Sequence, residues 1–178
     1  IVVVVSAMGK TTNLLEEIIE HFSNQQLPRL EKSFKLLKAN HFEIVRGLFD
    51  NEEHEVYNTL KTLFCQLEER LGLYPTFNYD FDYDQIIQYG ELLSNTIIAQ
   101  YLNESGMKTR WLDVRQSLKT DSTFREGKID CDLSSELVKK NFRFDEQGIL
   151  ITQGFLASNL NNQTVSLGRE GSDYTAAI

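Results

Sequence analysis

The stretch Ile-Val-Val-Val-Val-Ser-Ala-Met-Gly-Lys-Thr-Thr-Asn, residues 1–13, decides the architecture. Its first five positions are apolar and four of them are β-branched valines, a run that predicts a strand buried on both faces, as in a parallel sheet covered by helices. A short Ser-Ala-Met-Gly turn follows, then a helix start rich in hydroxyls. Gly9, Lys10 and Thr11 imitate the end of a P-loop, but the glycine that a P-loop needs five positions before Gly9 is Val4, inside the strand. Too little chain remains between strand and helix to wrap phosphates, so the P-loop reading is rejected. The turn still offers free backbone N–H groups and a helix dipole to an anion. The plainer reading is that Thr11 or Thr12 caps the helix.

Working outward, the spacing of Leu14, Leu15, Ile18, Ile19 and Phe22 predicts a helix over residues 12–22. Residues 27–73 read as helical throughout, on stripes of Leu30, Phe34 and Leu37, then Val56, Leu60, Leu63 and Leu67. A break falls near residues 47–53, where Asp50 or Asn51 can cap the second helix. Residues 72–85 are aromatic and turn-rich and read as a loop, with Asp82 or Asp84 capping a helix that runs to about Asn103. Residues 107–114 form a short strand candidate, 116–129 a polar exposed loop, and 132–144 a helix with Ser134 or Ser135 near its start. Residues 148–158 predict a second apolar strand, with a hairpin partner at 164–167 across the turn at 159–163. A last helix begins near Ser172. Strands alternating with helices imply a layered α/β domain with a mostly parallel sheet and an unusually long helical middle.

Bulk properties narrow the function. The 178 residues suffice for one domain with a core, and 41% hydrophobic with 25% charged residues is a globular composition. Eighteen Lys and Arg against 26 Asp and Glu leave a net charge of −8, which argues against a nucleic-acid partner. No apolar run approaches the ~20 residues that span a bilayer, so no membrane partner is expected. Cys65 and Cys131 read as reduced thiols of a cytoplasmic protein. His21, His41 and His54 show no metal-ligand spacing, and no protein-held metal is expected. The chain opens inside a strand and closes inside a helix, which reads as part of a longer protein.

Two further stretches carry possible chemistry. On a helical wheel, Ile86, Ile87, Leu93, Ile97, Ile98, Tyr101 and Leu102 fill one arc, and Glu91 falls inside it. A buried glutamate is costly unless paired. Either Glu91 reaches solvent at the arc's edge or it is held in a pocket for a cationic group, with Gly90 and Ser94 leaving space. In residues 166–178, Ser172 is a good N-cap and Asp173 suits a first helical turn. Arg169, between Gly168 and Gly171, is either an exposed loop residue or poised to grip a carboxylate or phosphate in a fork.

The motifs at residues 2–15, 90–102, 111–121, 151–155 and 167–178, taken together and in order, resemble aspartate kinases, of the amino-acid-kinase fold. The pairing of residues 151–155 with 167–174 resembles the lysine-pathway single-function type. The resemblance covers the chain from end to end. It implies a three-layer fold, here incomplete at both ends, with residues 1–178 forming the amino-acid-substrate half of a catalytic domain. It also implies phosphorylation of the side-chain carboxylate of L-aspartate by ATP with Mg2+, opening the routes to lysine, threonine, methionine and diaminopimelate. Carried over position by position, Thr12, Glu91 and Phe155 bind aspartate, and Arg169, Glu170, Gly171 and Ser172 form the substrate-binding loop. Ser6 lies near the phosphate path and Asp173 is a catalytic-site acid. Glu170 stands where many members have glycine, so its side chain should point away from the ligand. The family's Lys-Phe-Gly-Gly-Thr-Ser strand and turn, its nucleotide-binding half and its regulatory ACT domains are expected outside these residues. The 178 residues alone are therefore expected to be inactive, and the full-length protein to be a homo-oligomer. The alternatives are another carboxylate kinase of the same fold, or a non-catalytic module using residues 27–73 as an interaction surface.

Overall fold

The computed structural model describes residues 1–143 and 148–178. The chain runs β1 (Val2–Val5), α1 (Thr11–Ser23), α2 (Leu27–Leu48), α3 (Glu55–Leu71), α4 (Tyr79–Ile87), α5 (Tyr89–Glu104), β2 (Thr109–Leu112), a 3-10 turn (Val114–Gln116), α6 (Cys131–Asn141), β3 (Ile149–Gln153), β4 (Leu156–Ser158), β5 (Thr164–Ser166) and α7 (Gly171–Ala177). The part of the 132–144 helix expectation that falls on Phe144 lies outside the described residues.

The sheet is parallel, in the order β1-β3-β2, with Val3 opposite Ile151 and Trp111 opposite Ile151 on the other side. Among the described residues, β3 alone in this sheet has neighbours on both sides, and it is the most buried of the three strands. β1 pairs along one edge alone among the described residues, so Val2 and Val3 stay 38% and 36% exposed. The expected burial of that run on both faces is corrected to this extent.

Helix α5 packs across all three strands and beneath α1, α2 and α3. Residues 89 to 97 are all buried, polar ones included. The single apolar arc expected for it is thus too narrow: enclosed on all sides, the helix has no solvent face in its first turns. Around it α1, α2 and α3 bring Leu15, Ile18, Leu37, Leu60, Phe64 and Leu67 into one core. Each such side chain contributes ~1.5–3 kcal/mol by leaving water. Truncating Leu93, fully buried at the centre, costs ~2–5 kcal/mol.

The helix starts differ from those read in the sequence. Asp50 and Asn51 do not cap α3; His54 does, its Nδ1 accepting from the Val56 amide at 3.1 Å. Asp82 and Asp84 are interior to α4, whose cap is Asn78, accepting from the Phe81 amide. α6 begins at Cys131, with Ser134 in its first turn, and is capped by Asp130, which accepts from the Leu133 amide. Neither Thr11 nor Thr12 caps α1, which Lys10 precedes without a side-chain bond. The hairpin forms as expected, with Ala157 opposite Val165. The strand expected over 148–158 is broken instead: Phe155 adopts φ +68°, and the chain turns there from the parallel sheet into the hairpin.

Candidate functional site

At the carboxyl ends of β1 and β3 lies a cleft of about 980 Å³. This is where open parallel sheets place ligands, because the connections diverge there and leave backbone groups free. The wall on one side is the β1–α1 turn, and α5 grips that turn by its main chain. Ser94 Oγ donates to the Ser6 carbonyl at 2.8 Å, Asn95 Nδ2 to the Val5 carbonyl at 3.2 Å, and the Ala7 amide donates to Glu91 Oε1 at 3.3 Å. Residues 91, 94 and 95 share a helix face by their spacing. Gly90 allows the approach, since a Cβ there would sit 3.0 Å from the Ala7 Cβ and 3.1 Å from Leu15 Cδ1.

Glu91 is 5% exposed. Burial pushes its pKa up to about 7, against the pull of backbone amide hydrogen bonds. No cation pairs with it among the described residues. Of the two readings of Glu91 open in the sequence, the solvent-exposed one is corrected: the helix is enclosed on that side. Thr12, on the first turn of α1, lines the same cleft.

The opposite wall is built from the end of the hairpin. Leu167 N–H donates to the Phe155 carbonyl at 2.8 Å, and the chain then turns through Gly168 (φ +77°) and Glu170 (φ +61°) into α7. Ser172 is not the N-cap; Glu170 holds that position, with no side-chain cap bond, and α7 begins at Gly171. Ser172 Oγ instead accepts a 2.7 Å hydrogen bond from Ser6 Oγ, which ties the two walls together. The close approach rests on Gly154, where a Cβ would lie 2.6 Å from both the Cβ and Oγ of Ser172. Arg169 is exposed and carries no ion pair or hydrogen bond among the described residues. Asp173 lies in the first turn of α7.

The cleft therefore gathers Ser6, Thr12, Glu91, Phe155, Arg169, Glu170, Gly171, Ser172 and Asp173 from four separate segments. Sequence reasoning missed its third wall, residues 123–126, which had read as an exposed loop. Arg125 adopts φ +69°, its amide donates to Asp84 Oδ2 at 2.8 Å, and its guanidinium lies 4.5 Å from the centre of the Tyr83 ring. Asp84 is fully buried and also accepts from the Ser166 amide and hydroxyl. Burial raises its pKa, with those hydrogen bonds opposing. A helical wheel over α4 was the available signal, since it places Asp84 one turn from Ile87. Three non-glycine residues with left-handed backbone, Arg125, Phe155 and Glu170, line this one cleft, and such strain, ~1–3 kcal/mol per residue, concentrates at binding sites.

Among the described residues, no group of three or more His, Cys, Asp or Glu could hold a metal ion, and no helix is long and apolar enough to cross a membrane. Chemically, the cleft offers a buried carboxylate, two guanidinium groups and several hydroxyls, a set suited to a small zwitterion.

The amino acid kinase family model matches residues 1–178. The lysine-sensitive aspartokinase 3 of Escherichia coli is 31% identical over 178 residues, covering 99% of this chain and 38% of that protein. The bifunctional aspartokinase/homoserine dehydrogenase 2 of Escherichia coli is 29% identical, over 97% of this chain and 21% of that protein. Among solved structures, E. coli aspartokinase III in complex with aspartate and ADP superposes with a TM-score of 0.87 at 27% identity, over 99% of this chain and 38% of that one. The chain thus spans less than two fifths of the length of these relatives, and its fold is the three-layer α/β type that they share.

Proposed function

The chain belongs to the amino acid kinase family, and from that premise we propose that the protein is an aspartate kinase. It transfers the γ-phosphoryl group of ATP to the side-chain carboxylate of L-aspartate, giving 4-phospho-L-aspartate. The observation that carries this reading is Glu91: a buried carboxylate facing a cleft, held by a backbone amide and, among the described residues, lacking a cation. An ammonium group is the partner that would offset its desolvation. Arg169, on the opposite wall and unpaired among the described residues, takes a carboxylate in a fork. Thr12, Ser172 and the main chain near Phe155 supply neutral hydrogen bonds, and Gly171 keeps the loop close.

The nucleophile is a carboxylate already ionised at neutral pH, so no general base is needed. Catalysis then rests on holding it in line with the phosphoryl group and on neutralising charge around the transfer. Ser6 stands on the phosphate side. Asp173, itself anionic, is assigned to orienting a cation or the loop rather than to the phosphoryl group. Mg2+ belongs to this reading as the companion of the nucleotide's phosphates, not as a metal held by the described residues, and ATP is held chiefly outside them. The E. coli structure bound to aspartate and ADP supports both partners. The exposed, unpaired Cys65 and Cys131 fit a reducing cytoplasm. A homo-oligomeric, single-function enzyme of lysine, threonine and methionine biosynthesis is the form we assign to the full-length protein.

The test is turnover by the full-length protein with aspartate and MgATP, with hydroxylamine added to trap the acyl phosphate. ATP-dependent hydroxamate formation is expected. Equilibrium binding of aspartate without turnover would favour a non-catalytic module instead.

A further inference from the structure

We propose that Arg125 is a second carboxylate-binding residue of the cleft, the one that makes the site select an amino acid with two carboxylates. The inference rests on the aspartate kinase reading and extends its substrate site.

Charge matching leads to it. The cleft is lined by six carboxylates, Glu16, Asp80, Glu91, Glu126, Glu170 and Asp173, and its cationic lining among the described residues is Arg125 and Arg169. A substrate with two carboxylates and one ammonium can place one carboxylate on Arg169 and its ammonium on Glu91. Its other carboxylate then faces an acid-rich lining, where like charge repels it unless a cation answers.

Arg125 is built to answer. Its backbone is anchored from below by the fully buried Asp84, and its guanidinium is steered over the Tyr83 ring, whose hydroxyl donates to Glu16 at 3.1 Å. The guanidinium also lies 5.9 Å from the centre of the Tyr79 ring, and its ionic partner is Asp80, at 3.1 Å, in a pair with side chains 45% and 54% exposed. Exposed pairs of this kind contribute little and exchange readily for a better-placed acceptor. The Arg125 and Arg169 loops also abut. A Cβ at Gly168 would lie 3.3 Å from the Arg125 carbonyl oxygen, and the Gly127 amide donates to the Ser166 carbonyl at 3.0 Å. Two guanidinium forks on adjoining loops, opposite one buried carboxylate, match the charges of an acidic amino acid one for one.

The experiment compares Arg125→Ala, Arg125→Lys and Asp80→Asn with wild type in the full-length protein, reading the KM for aspartate and for ATP alongside the melting temperature. Arg125→Ala is expected to raise the aspartate KM by about 10–100-fold, the loss of a charged hydrogen bond, with the ATP KM within about twofold. Arg125→Lys loses the fork and recovers part of this. Asp80→Asn, which frees Arg125, is expected to lower the aspartate KM; a merely structural role for the pair would raise it. An aspartate KM unchanged in Arg125→Ala, or raised in Asp80→Asn, in an otherwise active enzyme overturns this inference alone. A wild-type protein that does not phosphorylate aspartate overturns the kinase reading and the inference together.

Discussion

Glu91 on α5 accepts a 3.3 Å hydrogen bond from the amide of Ala7, 84 residues earlier, and this contact joins the central helix to the turn that borders the cleft. One carboxylate thereby serves both the packing of the fold and the charge of the site, and the two roles pull in opposite directions with pH.

For stability, the Glu91 pKa is raised by burial from 4.5 to about 7, so between these values the folded state binds more protons than the unfolded one. Stability from this group is full below about pH 4.5 and is lost as pH rises through about 7. Glu91→Gln is expected to be more stable than wild type above pH 7, by on the order of 3 kcal/mol, with the difference vanishing toward pH 4.5. Denaturant unfolding across this pH range measures it; a constant difference would contradict the assignment.

For binding, an ammonium ligand favours the ionised form of Glu91. Aspartate affinity should therefore fall as pH drops from 8 to 6, and Glu91→Gln should bind weakly with a flat profile. Calorimetry in buffers of different ionisation enthalpy would detect the proton released on binding.

Arg169 is exposed and unpaired among the described residues, so Arg169→Ala should leave folding within about 0.5 kcal/mol of wild type. Its aspartate KM should nonetheless rise by at least about tenfold. Equal changes in the KM for ATP and aspartate would point to a disordered cleft rather than a lost carboxylate partner.

Gly154→Ala places a methyl group 2.7 Å from the Ser172 Cα, a backbone atom. Overpacking of this kind costs ~1–3 kcal/mol, and here it pushes α7 away from the turn at Gly154 and breaks the Ser6–Ser172 bond. A lowered melting temperature with a raised aspartate KM is expected.

Glu170→Gly relieves a left-handed residue whose side chain makes no cap bond. A gain of up to about 1 kcal/mol is expected, the αL penalty less the added freedom of the unfolded chain. Unchanged or lower stability in thermal melts would show that the Glu170 side chain is in use.

The elements were legible wherever burial follows a simple period. The valine run, the stripe of α1 and the hairpin around Asn159 stand where the sequence places them, because local spacing alone decides which face is apolar. The misreadings of Asp82, Asp84 and Ser172 share one cause. Asp82 and Asp84 look like caps, yet both are buried within α4, Asp82 paired with Arg70 and Asp84 with Ser166. Ser172 looks like a cap, yet it bonds Ser6 across 166 positions. In each case the partner is remote in sequence, and no local rule announces it.

By itself the sequence determined a parallel α/β domain with a helical middle, and it marked nine residues from four segments as one candidate site. Only the tertiary structure decided that they share a cleft, that Glu91 is buried with no cation beside it among the described residues, and that residues 123–126 close the third wall. The reason is physical: apolar periodicity is a property of neighbouring positions, whereas the partners of a buried charge are set by which distant segments the packed core brings within hydrogen-bonding distance.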